Sequence, residues 1–96
     1  MTEDLMAYLQ DHPEYFYLIR DKQLIALIRF LSSGGKTFEE IVEEFGFQSK
    51  RAKLMLDDLK KKRVITTMVT QAGQVYILDF NGQKILDLLE KAKKES

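Results

Sequence analysis

The chain of 96 residues has no cysteine and no tryptophan, one proline, one histidine and five glycines. Without cysteine there is no disulfide and no Cys-based zinc or iron–sulfur site. With His12 as the sole histidine, a His-rich metal site or a His-based catalytic triad has too few members. No apolar run approaches the roughly 18 residues that a membrane span needs. The start, Met1-Thr2-Glu3-Asp4, is acidic, unlike the basic start of a signal peptide. Net charge is absent too. Fifteen Lys and Arg balance fifteen Asp and Glu, which excludes a uniformly basic nucleic-acid coat and an acidic tail protein. What is present is 45% apolar and 31% charged residues, the mix of a soluble globular domain. The length suits one domain over residues 1–96, burying roughly 60–65% of the surface the unfolded chain exposes. The expected location is cytoplasmic.

The zero charge averages two unlike halves. Residues 1–48 carry four basic and nine acidic side chains, and residues 49–96 carry eleven basic and six acidic. Seven of those eleven cations lie in Gln48–Arg63, against two acids, Asp57 and Asp58. Such polarity points to a partner.

Periodicity predicts helices over most of the chain. Leu5, Met6 and Leu9 give a first helix, His12-Pro13 interrupts it, and proline suits the first turn of the next. Leu24, Ile25, Leu27, Ile28 and Leu31 repeat at helical spacing from Asp21 to Ser32, where Gly34-Gly35 stops the run. Thr37 with Glu40 three residues on reads as a capping box for a short helix buried through Ile41, Val42 and Phe45 and ended by Gly46. Gln48-Ser49 opens a longer helix whose inward face is Ala52, Met55, Leu56 and Leu59, closed by Lys60–Arg63. Val64–Thr70 and Val75–Leu78 predict a hairpin around Gln71–Gln74. Asp79 or Asn81 caps a last helix with Ile85, Leu86, Leu88, Leu89 and Ala92 apolar, fraying toward Ser96.

A short helix, a tight Phe45-Gly46-Phe47-Gln48 turn and a longer helix form a helix-turn-helix pattern. From Thr37 to Ile65, without a gap, the chain resembles the winged helix-turn-helix family of prokaryotic and archaeal regulators. The resembling features are the Thr-capped helix with paired glutamates, the Gly-apolar turn, and Leu56-Asp-Asp-Leu-Lys-Lys-Lys-Arg-Val-Ile65 before the hairpin. The family's Leu-Thr-x-x-Gly after the wing corresponds to Leu78-Asp79-Phe80-Asn81-Gly82 here, with Asp in place of Thr. The resemblance covers roughly residues 22–94. It implies an α+β fold with an N-terminal helical extension (1–20), a winged-helix core (21–80) with a two-stranded wing, and a C-terminal helix (81–96).

The resemblance also implies a dimeric, sequence-specific regulator of transcription that binds double-stranded DNA, with the helix from Ser49 in the major groove. Gln48, Ser49, Lys50 and Arg51 at its start, with Lys53 one turn on, would face the bases. Lys36 and Thr37 would meet phosphate. The alternative for Lys50, Arg51 and Lys53 is a merely solvated helix face. The wing tip has no Lys or Arg, where many winged helices place a cation, and Leu54, set about 200° from Ala52 and Leu56, fits either a thymine methyl or a protein contact. The alternative function is therefore a winged-helix protein-interaction module in a larger assembly. Leu5, Met6, Leu9, Phe16, Leu86, Leu88 and Leu89 exceed the needs of a small core and are expected to leave apolar surface for a homodimer interface.

Other constellations carry less. Glu39-Glu40 and Glu43-Glu44 read as a solvated face rather than a metal site. Tyr8, Tyr15, Phe16 and Tyr17 read as packing rather than as an effector pocket. No phosphate loop or nucleophile motif appears, so neither catalysis nor a cofactor is expected.

Overall fold

Asp21 and Thr37 begin the two central helices, and their side chains do the capping. Asp21 Oδ1 accepts from the backbone N–H groups of Gln23 (2.9 Å) and Leu24 (3.3 Å). Thr37 Oγ1 accepts from the Glu40 N–H at 3.1 Å while the Glu40 carboxylate takes the Thr37 N–H at 3.0 Å. The capping box is thus closed in both directions, satisfying donors that a helix start leaves orphaned.

The computed structural model describes residues 3–95; the expected fraying at Ser96 lies outside the described residues. In chain order the elements are α1 (Glu3–Asp11), a 3₁₀ turn (Pro13–Tyr15), α2 (Phe16–Arg20), α3 (Lys22–Ser32), α4 (Phe38–Phe45), α5 (Ser49–Lys61), β1 (Ile65–Thr70), β2 (Gly73–Leu78) and α6 (Phe80–Glu95). The strands pair antiparallel from Ile65↔Leu78 to Thr70↔Gly73. The turn between them is therefore only Gln71-Ala72, two residues shorter than the expected Gln71–Gln74. Val64 stays out of the strand because its N–H closes the end of α5, donating to the Leu59 carbonyl at 3.0 Å. An isolated β-bridge outside the β1–β2 pairing is not signalled by periodicity. Lys36 and Tyr76 exchange both backbone hydrogen bonds (3.1 and 2.7 Å), hooking the α3–α4 connection onto β2.

Of the two glycines after α3, only Gly34 needs a positive φ, at 142°. Gly35 is there for space, since a Cβ would stand 2.8 Å from Val75 Cγ2. Asp79 rather than Asn81 begins α6, its carbonyl accepting from Gln83 N–H at 3.0 Å. The Asn81 amide instead donates to the Lys62 carbonyl at 2.9 Å.

One buried cluster runs from Leu5 and Leu9 through Leu18, Leu27, Ile28, Ile41, Leu56, Leu59 and Ile65 to Ile85 and Leu88. The N-terminal extension is part of it. α6 packs against α1, α3 and both strands, so it has core on more than one side. That explains how Ile85, Leu86 and Leu88 are all buried although they do not share one stripe. The expectation that the terminal helices leave these leucines open on a single chain is therefore corrected. Leu5, Leu9, Leu86 and Leu88 are covered by the chain's own elements. Phe16 and Leu89 are half-buried, and Met6 is exposed. Tyr8 stacks on Tyr15 with centroids 6.0 Å apart and 7° between planes, and the His12 ring lies tilted against both.

Candidate nucleic-acid interface

The α4–α5 turn is built by backbone conformation and by aromatic rings. Gly46 ends α4 at φ 67°, a left-handed position that costs glycine nothing. Its N–H and that of Phe47 both return to the Val42 carbonyl, at 2.8 and 3.2 Å. Phe45 stacks on Phe47 at 5.3 Å and meets Phe30 of α3 edge-on at 5.7 Å. The turn is thereby pinned to the helix beneath it, and the start of α5 is held in one orientation.

That start is the open part of the helix. Gln48, Ser49, Lys50 and Arg51 are all exposed, while Ala52, Leu56 and Leu59 are buried on the opposite side. Gln48 occupies the N-cap position but makes no capping bond with its side chain. Among the described residues its amide has no hydrogen-bond partner. Among the described residues, Lys50 and Arg51 have no ion-pair partner.

The other expected contacts are engaged within the chain. Lys53 pairs with Asp57 at 3.4 Å, and the Tyr76 hydroxyl together with Asp57 raises its ammonium above the usual lysine range. Lys36 Nζ donates to Ser33 Oγ and to the Gly34 carbonyl, both at 3.1 Å, and lies 4.8 Å over the Phe30 ring. Thr37 Oγ1 is an acceptor in the capping box, which leaves its own O–H to donate. Thr37, Lys53 and the wing residues Ala72 and Gln74 do meet around one cleft, of about 450 Å³, between α4, α5 and the hairpin. The structure therefore gathers Gln48–Arg51 on one open end, with Lys53 and Thr37 beside the wing. Lys36 is set apart, against α3.

The acids of α5 are neutralised locally. Lys62 Nζ donates to Asp58 at 3.0 Å and to the Tyr17 hydroxyl at 2.9 Å, and that hydroxyl lies 3.1 Å from Asp58. The Lys62 hydrogen bond lowers the Asp58 carboxyl below its usual range; burial raises the Tyr17 phenol. The Tyr15 hydroxyl donates to the Lys62 carbonyl at 3.1 Å. The N-terminal extension thus grips the far end of α5. The i, i+4 spacing of Asp58 and Lys62 is visible in the sequence, but Tyr17, 41 residues from Asp58, is not. Among the described residues, no group of three or more His, Asp or Glu is placed to hold a metal ion. None of the described helices is long and apolar enough to cross a membrane.

No family model matches the chain, and no curated protein does. Solved structures do match. The homodimeric winged helix-turn-helix DNA-binding domain of a possible ArsR-family transcriptional regulator from Mycobacterium bovis is similar over 99% of this chain and 89% of that one. Its TM-score is 0.71 at 16% identity. A mutant of MepR from a multidrug-resistant S. aureus clinical isolate is similar over 99% of this chain and 78% of that one, with a TM-score of 0.68 at 16% identity. The element order, the Gly46 turn, the paired hairpin and these two likenesses together make the fold a winged helix-turn-helix, α+β, with α4 and α5 as the helix-turn-helix and β1–β2 as the wing.

Proposed function

We propose that the chain binds double-stranded DNA sequence-specifically as a homodimer and regulates transcription, with α5 in the major groove and no enzymatic activity. The observation that carries this is the open start of α5. Gln48, Ser49, Lys50 and Arg51 are exposed at the start of α5, and two of them are cations without an ion-pair partner among the described residues. These side chains suit base edges, Arg and Lys for guanine, Gln for adenine and Ser for either. Thr37 O–H and the α4 N-terminus suit phosphate. Lys53, with Asp57 at 3.4 Å, contributes after exchanging that exposed partner for DNA. Such exposed pairs are worth little on their own.

The homodimer is supported by the two-fold arrangement that half-site recognition needs and by the homodimeric state of the similar M. bovis domain. On this chain, Met6, Phe16 and Leu89 are the expected interface residues that retain accessible surface.

The test is enrichment from a random duplex pool at low salt. Wild type enriches a recurring, palindromic sequence, and Lys50→Ala/Arg51→Ala loses it while melting at the same temperature. Failure of the wild-type protein to bind any duplex at low salt overturns the proposal. It would leave the protein-interaction reading, which the exposed wing residues Met68 and Val69 favour.

A further inference from the structure

Leu54 stands on the outer face of α5 with 66% of its surface exposed. It is the sole large apolar side chain so placed among the described residues of that helix. Its helical neighbours at i−4, i−3, i+3, i+4 and i+7 are Lys50, Arg51, Asp57, Asp58 and Lys61. Both acids are held by lysines, Asp57 by Lys53 at 3.4 Å and Asp58 by Lys62 at 3.0 Å. Leu54 is thus an isolated apolar point on a face whose unpaired charges are positive.

We infer that Leu54 reads a thymine through its C5-methyl group, and so fixes one base pair of each half-site. The inference rests on the proposal that α5 enters the major groove. An apolar protein partner is the poorer occupant. Binding hot spots sit within broad, desolvated apolar surroundings, and covering Leu54 with protein would desolvate the charges that ring it. DNA fits both features at once. The negative field of the duplex suits Lys50 and Arg51 at their base edges, and the thymine methyl is an apolar group at a major-groove base edge. Leu54 lies one turn beyond Lys50, so its base step lies further along the groove than the pairs faced by Gln48–Arg51.

The test replaces each thymine of the enriched duplex, one symmetric pair at a time, with deoxyuridine. This removes the methyl and leaves every hydrogen-bonding group in place. At one symmetric pair, wild type should lose about three- to fivefold in affinity per half-site, the effect of one buried methyl group. At all other pairs the change should be small. Leu54→Ala, at an exposed position of a helix that alanine favours, should keep the wild-type melting temperature. It should bind the thymine and deoxyuridine duplexes alike. Wild type indifferent to deoxyuridine at every position overturns this inference and leaves the DNA-binding proposal standing. So does Leu54→Ala with an unchanged thymine preference. Absence of any enriched duplex overturns both.

Discussion

At the scale of single residues, the structure separates side chains that hold the fold from those left free. Thr37 belongs to the first group because its hydroxyl closes the capping box of α4. Thr37→Ala should cost about 1 kcal/mol of unfolding free energy, read as a lower denaturant midpoint; an unchanged midpoint would contradict the role. Arg63 is the one non-glycine residue with positive φ among those described, at 59°. It sits at the left-handed position that follows α5, where its N–H donates to the Lys60 carbonyl at 3.1 Å and that of Val64 to Leu59 at 3.0 Å. Arg63→Gly should raise stability by up to about 1 kcal/mol, and a fall would contradict this assignment. Acid sensitivity also has named sources. Hydrogen bonds from Lys91 to Asp4, from the Thr37 backbone to Glu40 and from Lys62 to Asp58 hold these three carboxyls below their usual values. A carboxyl depressed in the folded state stabilises it above the unfolded pKa and loses that contribution as pH falls through the folded one. The melting temperature should therefore drop as pH falls below about 4, and less steeply in Asp58→Asn. Equal slopes would remove Asp58 from the account.

At the scale of elements, what was legible in the sequence is local. The capping box spans four residues, Gly46 follows its helix directly, and the hairpin joins adjacent β-branched runs. Spacing alone reports such features. The rest depends on elements far apart in the chain. Leu5 and Leu9 look surplus until α6 is laid beside α1. The tie between Tyr17 and Asp58 crosses 41 residues, and the Lys36–Tyr76 bridge joins a connection to a strand. The same reasoning explains the candidate site. The exposure of Gln48–Arg51 could be read from helical period, whereas the engagement of Lys36 by Ser33, Gly34 and Phe30 could not. Gly82 shows the point most sharply. It belongs to the sequence pattern after the wing, but its reason is a close approach, since a Cβ there would stand 2.0 Å from the Val64 carbonyl oxygen. Gly82→Ala should push α6 off the end of α5 and destabilise by at least about 1–3 kcal/mol. A melting temperature equal to wild type would contradict that packing.

At the scale of the whole molecule, two properties combine. The chain is neutral overall, but Gln48–Arg63 is strongly basic and α4 carries four exposed glutamates. In the proposed complex, long-range attraction to DNA should accordingly be weak, leaving affinity to local contacts at the start of α5 and to two copies of that helix. Because Leu5, Leu9, Leu86 and Leu88 are buried within one chain, a single chain should stay folded on its own, and the proposed dimer should dissociate without unfolding. Sedimentation across a dilution series should show a reversible monomer–dimer equilibrium at constant helical signal. Loss of that signal with dissociation would contradict a self-sufficient core. The central claim, that α5 meets DNA through Lys50 and Arg51, is tested most directly by the salt dependence of duplex binding. A plot of log affinity against log salt should have a clear negative slope for wild type, flattened by about one to two units in Lys50→Ala/Arg51→Ala. An identical slope in the double variant would contradict it.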